Sequence, residues 1–357
     1  MPGWAHERRK AVALTVRWVL TAVALGLLFR LGRSGWPEIR RAASVLATRE
    51  AHLLVPVIGL QVLWAVSLAQ LTRRAVLAVG GAVSSRDALR ISMAAFTLSR
   101  VVPGGGAAGG VFATRELVLL HNPLSAALAA MVVSWTVATT SLASLVLAGT
   151  SIAAFTDHLP LNYLVPSAAV LSLLVGIGAL IIRLLNDHRL RQRVIDRVRP
   201  VAQRLHASPQ VDALAASLGN VADGLDDRRR LLQAGLWSVT AWAADAAALW
   251  LVFAAFGHRL SLGQLVIGYS FANLLNSMPE LTPGWIGVFE VAMTATYTAL
   301  GVPAGIAVVA VVSYRLVSFW LPVAAGVAPA ISSLAAHRPT PTSPRRRWHD
   351  RTPDLAR

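Results

Sequence analysis

Cysteine is absent from this chain of 357 residues, and lysine occurs only once, at Lys10. Without a thiol the chain can form no disulfide, no thiolate metal site and no cysteine nucleophile. Charged residues are also scarce, at 14%, against 55% hydrophobic residues and a mean hydropathy of +0.58. A soluble protein of this length needs more polar surface, so the composition indicates several apolar spans in a bilayer.

The charge that is present is strongly basic, with a net value of +16 carried almost entirely by arginine. In a soluble protein this balance would favour a nucleic-acid partner. Here the arginines lie in connections and tails beside apolar runs, as the positive-inside bias of membrane proteins predicts. We therefore expect no nucleic-acid partner, and a multi-pass protein of the cell (plasma) membrane whose N- and C-termini are cytoplasmic.

Motifs for catalysis, cofactors and metals are missing as well. The glycines at 104–106 are followed by no Lys-Ser/Thr pair, which excludes a phosphate-binding P-loop. The sequence contains no G-x-S-x-G elbow and no His/Asp/Glu cluster with metal-ligand spacing. We expect no enzyme activity, no catalytic residues, no cofactor and no metal.

The apolar runs predict an all-α fold, a polytopic membrane helical bundle with about six full spans. The spans are expected at Ala11–Leu31, Leu53–Leu71, Pro123–Thr150, Tyr163–Leu185, Leu231–Phe256 and Pro303–Ala330. The predicted domains are a cytoplasmic N-terminus at 1–10, a transmembrane domain at 11–332 and a disordered basic cytoplasmic tail at 333–357. Residues 186–230 are expected to form a cytoplasmic amphipathic connection inside that domain.

Two further apolar regions are broken by proline and glycine, and each half is shorter than the roughly 20 residues that a spanning helix needs. The first occupies residues 89–120, and the second occupies residues 262–300. Because broken backbone at membrane depth must face protein or a water-filled cavity, we expect two re-entrant broken-helix hairpins. The residues expected to shape them are Pro103, Gly104, Gly105, Pro279, Pro283, Gly284 and Gly287.

The two broken regions resemble each other in sequence. The run 110–112 (Gly-Val-Phe) matches 287–289, Pro123 matches Pro303, and 132–135 (Val-Val-Ser-Trp) matches 311–314 (Val-Val-Ser-Tyr). The arginine bias gives the two units opposite orientations, so we expect inverted repeats. Paired Gly/Pro-broken segments in inverted repeats indicate a transport site near the bilayer midplane.

Seven charged residues are candidates for lining a substrate-binding cavity, because ionisable groups at membrane depth are costly unless they serve a function. Glu290 could bind a cation or take up a proton, or could only stabilise the N-terminus of the following half-helix. Arg315 could pair with Glu290 or Glu280, or could bind phosphate. Glu280 could also lie at the hairpin tip near water. The remaining candidates are Arg100, Arg115, Glu116 and Asp245.

Of these, Arg115 and Glu116 could equally lie at the membrane surface and be satisfied by water. Asp245 lies in the middle of a span and is expected to face the bundle interior, where it could pair with an arginine.

The motif Pro279-x-x-x-Pro283-Gly-x-x-Gly-x-x-Glu290, followed by Tyr314-Arg315 and Trp320-Leu-Pro322, resembles the flippase-like membrane family of the lysylphosphatidylglycerol synthase transmembrane domain. The resemblance covers roughly residues 10–332. The family usually has Pro-Gly-Gly in this motif, and Trp285 replaces the second glycine here.

The resemblance implies an integral membrane lipid translocase or lipid-binding protein for an anionic lipid or a lipid-linked precursor. The connection at 186–230 is too short for the family's aminoacyl-transferase domain, so we expect a stand-alone member without lysine transfer. The alternatives are a secondary transporter of a small polar solute and a non-transporting partner of a cell-envelope lipid-modifying enzyme. Membrane lipids are the expected partners, with such an enzyme or a homo-oligomer as a further candidate.

Overall fold

A computed structural model describes residues 54–101, 106–156, 228–277 and 285–336, with isolated positions between 172 and 200. These described residues form helices and contain no strand. The helices are α1 (Leu54–Ala78), α2 (Ser85–Val101), α3 (Gly106–Leu119), α4 (Leu124–Thr156), α5 (Arg228–Ala255), α6 (Leu262–Ser277), α7 (Val288–Ala299), α8 (Ala304–Arg315) and α9 (Leu321–Ala336), with a π-helical turn, Leu316–Trp320, between α8 and α9.

Four stretches in the described ranges are long and apolar enough to cross a membrane. They are Val55–Ala78, Leu124–Ala154, Arg229–Ala255 and Ala304–Ser333. The last stretch joins α8, the π-helical turn and α9 into one span. The described residues are therefore those of a helical membrane protein. The predicted spans 11–31 and 163–185 lie outside the described ranges.

The first observed span corrects one predicted boundary. Its prediction ended at Leu71 because Arg73 and Arg74 were interpreted as loop residues, but the helix continues to Ala78. Arg73 donates from Nε to the carbonyl of Val83 at 3.3 Å, which ties its charge to the short connection after the helix. A long arginine side chain can extend in this way toward a helix end while its stem stays on apolar surface.

Helices α2 and α3 pack against each other as a hairpin, and so do α6 and α7. At 12 to 17 residues each, these four helices are shorter than a spanning helix, in agreement with the broken patterns of the sequence. The connecting residues 102–105 and 278–284, which include Pro103, Gly104, Gly105, Pro279, Glu280, Pro283 and Gly284, lie outside the described residues.

The two hairpins start from opposite ends of a central helix pair. Helix α1 packs along α5, and Arg230 near the start of α5 donates to the carbonyl of Leu77 near the end of α1. The first hairpin follows the end of α1, and the second follows the end of α5. Asn122 closes the base of the first by bonding both the N–H and the carbonyl of Ala82 at 2.8 and 3.0 Å. Gln264 closes the base of the second by donating to the carbonyl of Leu300 at 2.9 Å.

Each hairpin also packs against the long span of the other half of the chain: α2 contacts α9, and α6 contacts α4. Glycine allows both contacts to be close. A Cβ atom at Gly326 of α9 would overlap the backbone oxygen of Met93 on α2. A Cβ atom at Gly149 of α4 would lie 2.5 Å from Val266 on α6. These contacts hold each hairpin closely against a long span of the other half of the chain.

Candidate functional site

Asp245, in the middle of α5, is the hydrogen-bonding centre of the bundle. Its Oδ1 accepts a hydrogen bond from Gln61 of α1 at 3.0 Å. Its Oδ2 accepts hydrogen bonds from the hydroxyls of Tyr269 on α6 and Tyr314 on α8, both at 2.9 Å. Four helices therefore converge on one carboxylate, and its two oxygens receive three neutral donors.

This arrangement compensates for the cost of placing a carboxylate inside a membrane protein. A buried charge is tolerated when hydrogen bonds replace the water that it has lost. Tyr269 and Tyr314 are themselves 3% and 4% exposed, so their hydroxyls also need a partner inside the bundle. Asp245 thus faces the interior, as the sequence predicted, and its hydrogen-bond partners are neutral groups rather than an arginine.

A second buried cluster joins the second hairpin to the last span. Arg315, the final residue of α8, donates from Nε to Oε1 of Glu290 at 2.8 Å. Oε2 of Glu290 accepts the backbone N–H of Gly287 at 2.7 Å, which caps the N-terminus of α7. Gly287 has φ of +82°, a conformation that L side chains rarely adopt. The sequence suggested two structural roles for Glu290, as a helix cap and as the ion-pair partner of Arg315. The observed geometry matches both.

The guanidinium of Arg315 lies between two aromatic rings. Its Cζ is 4.3 Å from the ring centroid of Phe289 and 4.1 Å from that of Phe319. Phe319 belongs to the π-helical turn that follows Arg315. Pro322 follows this turn and has no N–H to donate to an earlier carbonyl, which disfavours regular α-helix here. Such π turns are frequent at functional sites, and this one holds a ring against a buried cation.

Between these two clusters lies a cavity of about 310 Å³. Arg100, Asp245 and Arg315 line it, and the charge of Arg100 acts on Asp245 across it. Asn273, Ser238, Ser318 and Thr139 add polar groups to the wall. The ring of Phe96 lies 5.3 Å from the guanidinium of Arg100. The cavity therefore combines two cations and one carboxylate with aromatic surface.

The polar cavity borders a larger apolar groove of about 700 Å³. The groove lies between α1, α2, α3 and α4. Five residues line both spaces, so the two are immediate neighbours: Leu68, Leu71, Phe96, Trp135 and Ala138. Trp135 at this boundary is 54% exposed. A charged compartment therefore lies directly beside an apolar one.

The predicted site residues fall into three groups. The structure brings together Arg100, Asp245 and Arg315 at the cavity, with Glu290 directly behind Arg315. Glu280 lies outside the described residues. Arg115 and Glu116 are not among the residues that line the cavity.

Instead, Glu116, 2% exposed, pairs with Arg115 at 3.1 Å and with Arg90 at 3.5 Å. Both of these arginines are about 40% exposed, so the cluster reaches the surface at the base of the first hairpin. This geometry is close to the interfacial alternative that the sequence left open.

Sequence reasoning did not include Gln61, Tyr269, Tyr314 or Asn273 among the site residues. Gln61 carried a usable signal, since it is one of only two side-chain amides in an otherwise mostly apolar membrane span. Tyr314 is adjacent to Arg315 and was noted only as part of a motif. Tyr269 and Asn273 lie four positions apart on α6, and Asn273 donates to the carbonyl of Tyr269 at 2.9 Å. Their role depends on the helices that they face.

The fold and the site together define a polytopic helical membrane protein with a charged cavity that lies beside an apolar groove. A comparison with protein families is more specific. The chain belongs to the family described as the lysylphosphatidylglycerol synthase TM region, whose model matches residues 12–326. The predicted family is thus confirmed.

Curated relatives match over shorter stretches. A UPF0104 membrane protein of Pyrococcus horikoshii is 33% identical over 99 residues, which cover 28% of this chain and 29% of the relative. Two UPF0104 membrane proteins of Methanothermobacter thermautotrophicus are 35% and 34% identical over 89 and 87 residues. These matches cover 25% and 24% of this chain, and 26% and 25% of the relatives. The matched stretches thus span less than a third of each relative, and all three are described as membrane proteins.

Proposed function

We propose that this protein binds an anionic membrane lipid or lipid-linked precursor and moves it between the leaflets of the plasma membrane. The observation that carries the proposal is that the charged cavity and the apolar groove lie side by side and share five lining residues. A lipid needs both environments at once, a polar one for its head group and an apolar one for its chains. A small polar solute needs only the first.

The depth of the cavity supports a transport role. Trp64 lines the cavity, and it lies ten positions before Arg74, which is near the basic end of α1. Ten helical residues rise about 15 Å, which is half of the roughly 30 Å hydrocarbon thickness of a bilayer. The head group would therefore be held near the midplane, where a lipid that crosses between leaflets meets its highest barrier.

The cavity arginines supply the chemistry for an anionic head group. Guanidinium groups match phosphate geometry and can donate two parallel hydrogen bonds. Arg100, Arg315 and Asp245 line the same cavity, and Glu290 pairs with Arg315. A phosphate that entered would compete with these fixed carboxylates, so binding would be reversible, as transport requires.

The packing of the two hairpins suggests how access would alternate. In our proposal they are re-entrant elements of two inverted repeats, each formed by a span, a hairpin and a second span. Their bases lie at opposite ends of the α1–α5 pair, and each packs on the long span of the other half. Rocking of one repeat against the other would expose the cavity first to one side and then to the other. The arginine-rich end would be cytoplasmic.

A secondary transporter of a small polar solute is the second candidate. The cavity volume of about 310 Å³ favours it, because this volume lies at the lower end of the range for small-molecule sites. In that case the apolar groove would hold bulk lipid and would contribute nothing to recognition.

The test is reconstitution into liposomes that contain fluorescent anionic and zwitterionic phospholipids in separate preparations. Chemical quenching from outside reports how fast each lipid crosses. We expect faster crossing of the anionic lipid, and its loss in Arg100→Gln. The matched control is Arg229→Gln, which removes the same charge from an exposed position on α5 and leaves crossing unchanged. Equal crossing with and without the protein, for every lipid, would reject lipid translocation.

A further inference from the structure

We propose that the apolar groove is the binding site for the hydrocarbon chains of the lipid, and that Gly110 sets the chain length that the groove accepts. This inference rests on the proposed function and makes it more specific, because it adds a selection by chain length to the recognition of the head group. It depends on the wall of the groove, on two adjacent glycines and on the volume.

The wall of the groove is largely apolar, although four of its residues carry hydroxyl groups. Thr72 donates to the carbonyl of Leu68 at 3.1 Å, Ser92 donates to Thr72 at 3.2 Å, and Ser99 donates to the carbonyl of Phe96 at 2.7 Å. Three of the four serine and threonine residues in the wall therefore use their hydroxyls within the protein. The fourth, Ser134, has a buried hydroxyl without a hydrogen-bond partner among the described residues. A hydrocarbon chain fits the remainder of the wall, because the other three hydroxyls already have partners.

Charge complementarity places the lipid head group in the cavity and the lipid chains in the groove. The groove borders the cavity at Phe96 and Trp135, and the arginines line the cavity and not the groove. A lipid phosphate near Arg100 would therefore direct its chains into the groove. The basic cavity gives the groove a defined occupant, the chains of an anionic lipid.

Two adjacent glycines on α3 have opposite surroundings. A Cβ atom at Gly109 would lie 2.5 Å from the backbone oxygen of Ala95, so this glycine lets α3 approach α2 closely. A Cβ atom at Gly110 would meet no atom within 4 Å, although Gly110 lines the groove. Close packing of α3 on α2 therefore explains why residue 109 is glycine, but it does not explain why residue 110 is glycine. Because Gly110 has no side chain, it leaves extra volume in the groove.

That volume can be compared with the size of a lipid chain. A methylene group occupies nearly as much space as a water molecule in the liquid, about 30 Å³. The groove of about 700 Å³ would therefore hold roughly twenty methylenes, summed over all chains that enter it. Leucine at position 110 would add four carbon atoms, or about 120 Å³, and would fill about a sixth of the groove.

The experiment uses phosphatidic acid with saturated chains of increasing length, because its head group is the bare phosphate that the arginines would bind. Retention of each lipid by the detergent-purified full chain is measured by native mass spectrometry. We expect the preferred length to shift downward in Gly110→Leu by about four carbons, summed over both chains. The control is Gly59→Leu, at an exposed position of α1 where a new Cβ also meets nothing, and it leaves the preference unchanged.

A second substitution tests the sign of the effect. Met131→Ala removes side-chain volume from the wall of the groove, so we expect it to shift the preference toward longer chains. Both leucine variants replace glycine by a better helix former, so we expect them to fold like the wild-type protein. Unchanged length profiles in Gly110→Leu and Met131→Ala, with lipid retention still lost in Arg100→Gln, would overturn the inference and leave the proposed function standing. Absence of retention by the wild-type chain at every length would overturn both.

Discussion

Replacing Glu290 by glutamine is the most direct perturbation of the buried ion pair. The side chains of Arg315 and Glu290 are only 6% and 10% exposed, so the arginine that remains cannot regain water without opening the structure. Removing one partner of a buried pair costs about 3–5 kcal/mol. The rings of Phe289 and Phe319 stay in place over the guanidinium and reduce this cost by about 1 kcal/mol.

The expected loss is therefore about 2–4 kcal/mol. For domains of 150–250 residues, 1 kcal/mol shifts Tm by about 2–4 °C, so we expect Tm in detergent to fall by about 4–16 °C. A double variant, Glu290→Gln with Arg315→Met, also removes the charge that has lost its Glu290 partner. It is expected to recover most of the loss, because an apolar replacement of a buried pair is often neutral.

The control is Glu116→Gln, the same chemical change at a carboxylate whose arginine partners are about 40% exposed. Those arginines can turn to water, so we expect a loss of at most about 1 kcal/mol. The reasoning would be refuted if Glu290→Gln and Glu116→Gln lowered Tm equally. It would also be refuted if the double variant were no more stable than Glu290→Gln alone.

Three further predictions concern other parts of the structure. Asp245→Asn keeps the size of the side chain but weakens the hydrogen bonds from two tyrosine hydroxyls. Each of these bonds is worth about 1.5–3 kcal/mol when it is made to a charged group. We therefore expect Tm to fall by several degrees, and an unchanged Tm would contradict the geometry. Gly326→Ala forces α9 away from the backbone of Met93 and should cost about 1–3 kcal/mol, visible as faster proteolysis of the purified protein, whereas equal rates would show that the helices separate freely.

The third prediction concerns His258, which lies in the connection after α5, where burial lowers its pKa below 6.5. Because the unfolded chain then binds a proton more readily than the folded one, His258 lowers stability as pH falls through 6.5. We expect the loss of Tm between pH 7 and pH 5 to be smaller in His258→Gln, and an identical loss would contradict this.

Some features of the fold follow from short stretches of sequence. A run of apolar residues long enough to cross a bilayer needs no tertiary information, and the helices at Leu124–Thr156 and Arg228–Ala255 lie within a few residues of the predicted spans. The breaks near Pro103 and Pro283 are equally local, because proline and glycine disfavour helix wherever they occur. The pairing of Arg315 with Glu290 was also among the expected contacts, since charges at membrane depth must find partners.

The rotation of each helix about its axis could not be predicted from a short stretch of sequence. These helices are apolar on most of their faces, so hydrophobic periodicity does not indicate which side turns inward. Glu116 and Glu290 look alike as acidic residues beside a glycine-broken segment. Only the packing separates them, because one lies at the base of its hairpin beside exposed arginines and the other lies beside the cavity.

The sequence by itself therefore determined the class of protein, the described spans, the two broken regions and the family. The tertiary structure decided which polar groups meet. Gln61 is 184 positions from Asp245, and Tyr314 is 69 positions from it, yet all three share hydrogen bonds. The position of the groove beside the cavity likewise depends on how distant helices pack. Chain composition fixes what enters the membrane, but contacts between distant helices create the site, because their partners are set by helix rotation and close packing rather than by neighbours in sequence.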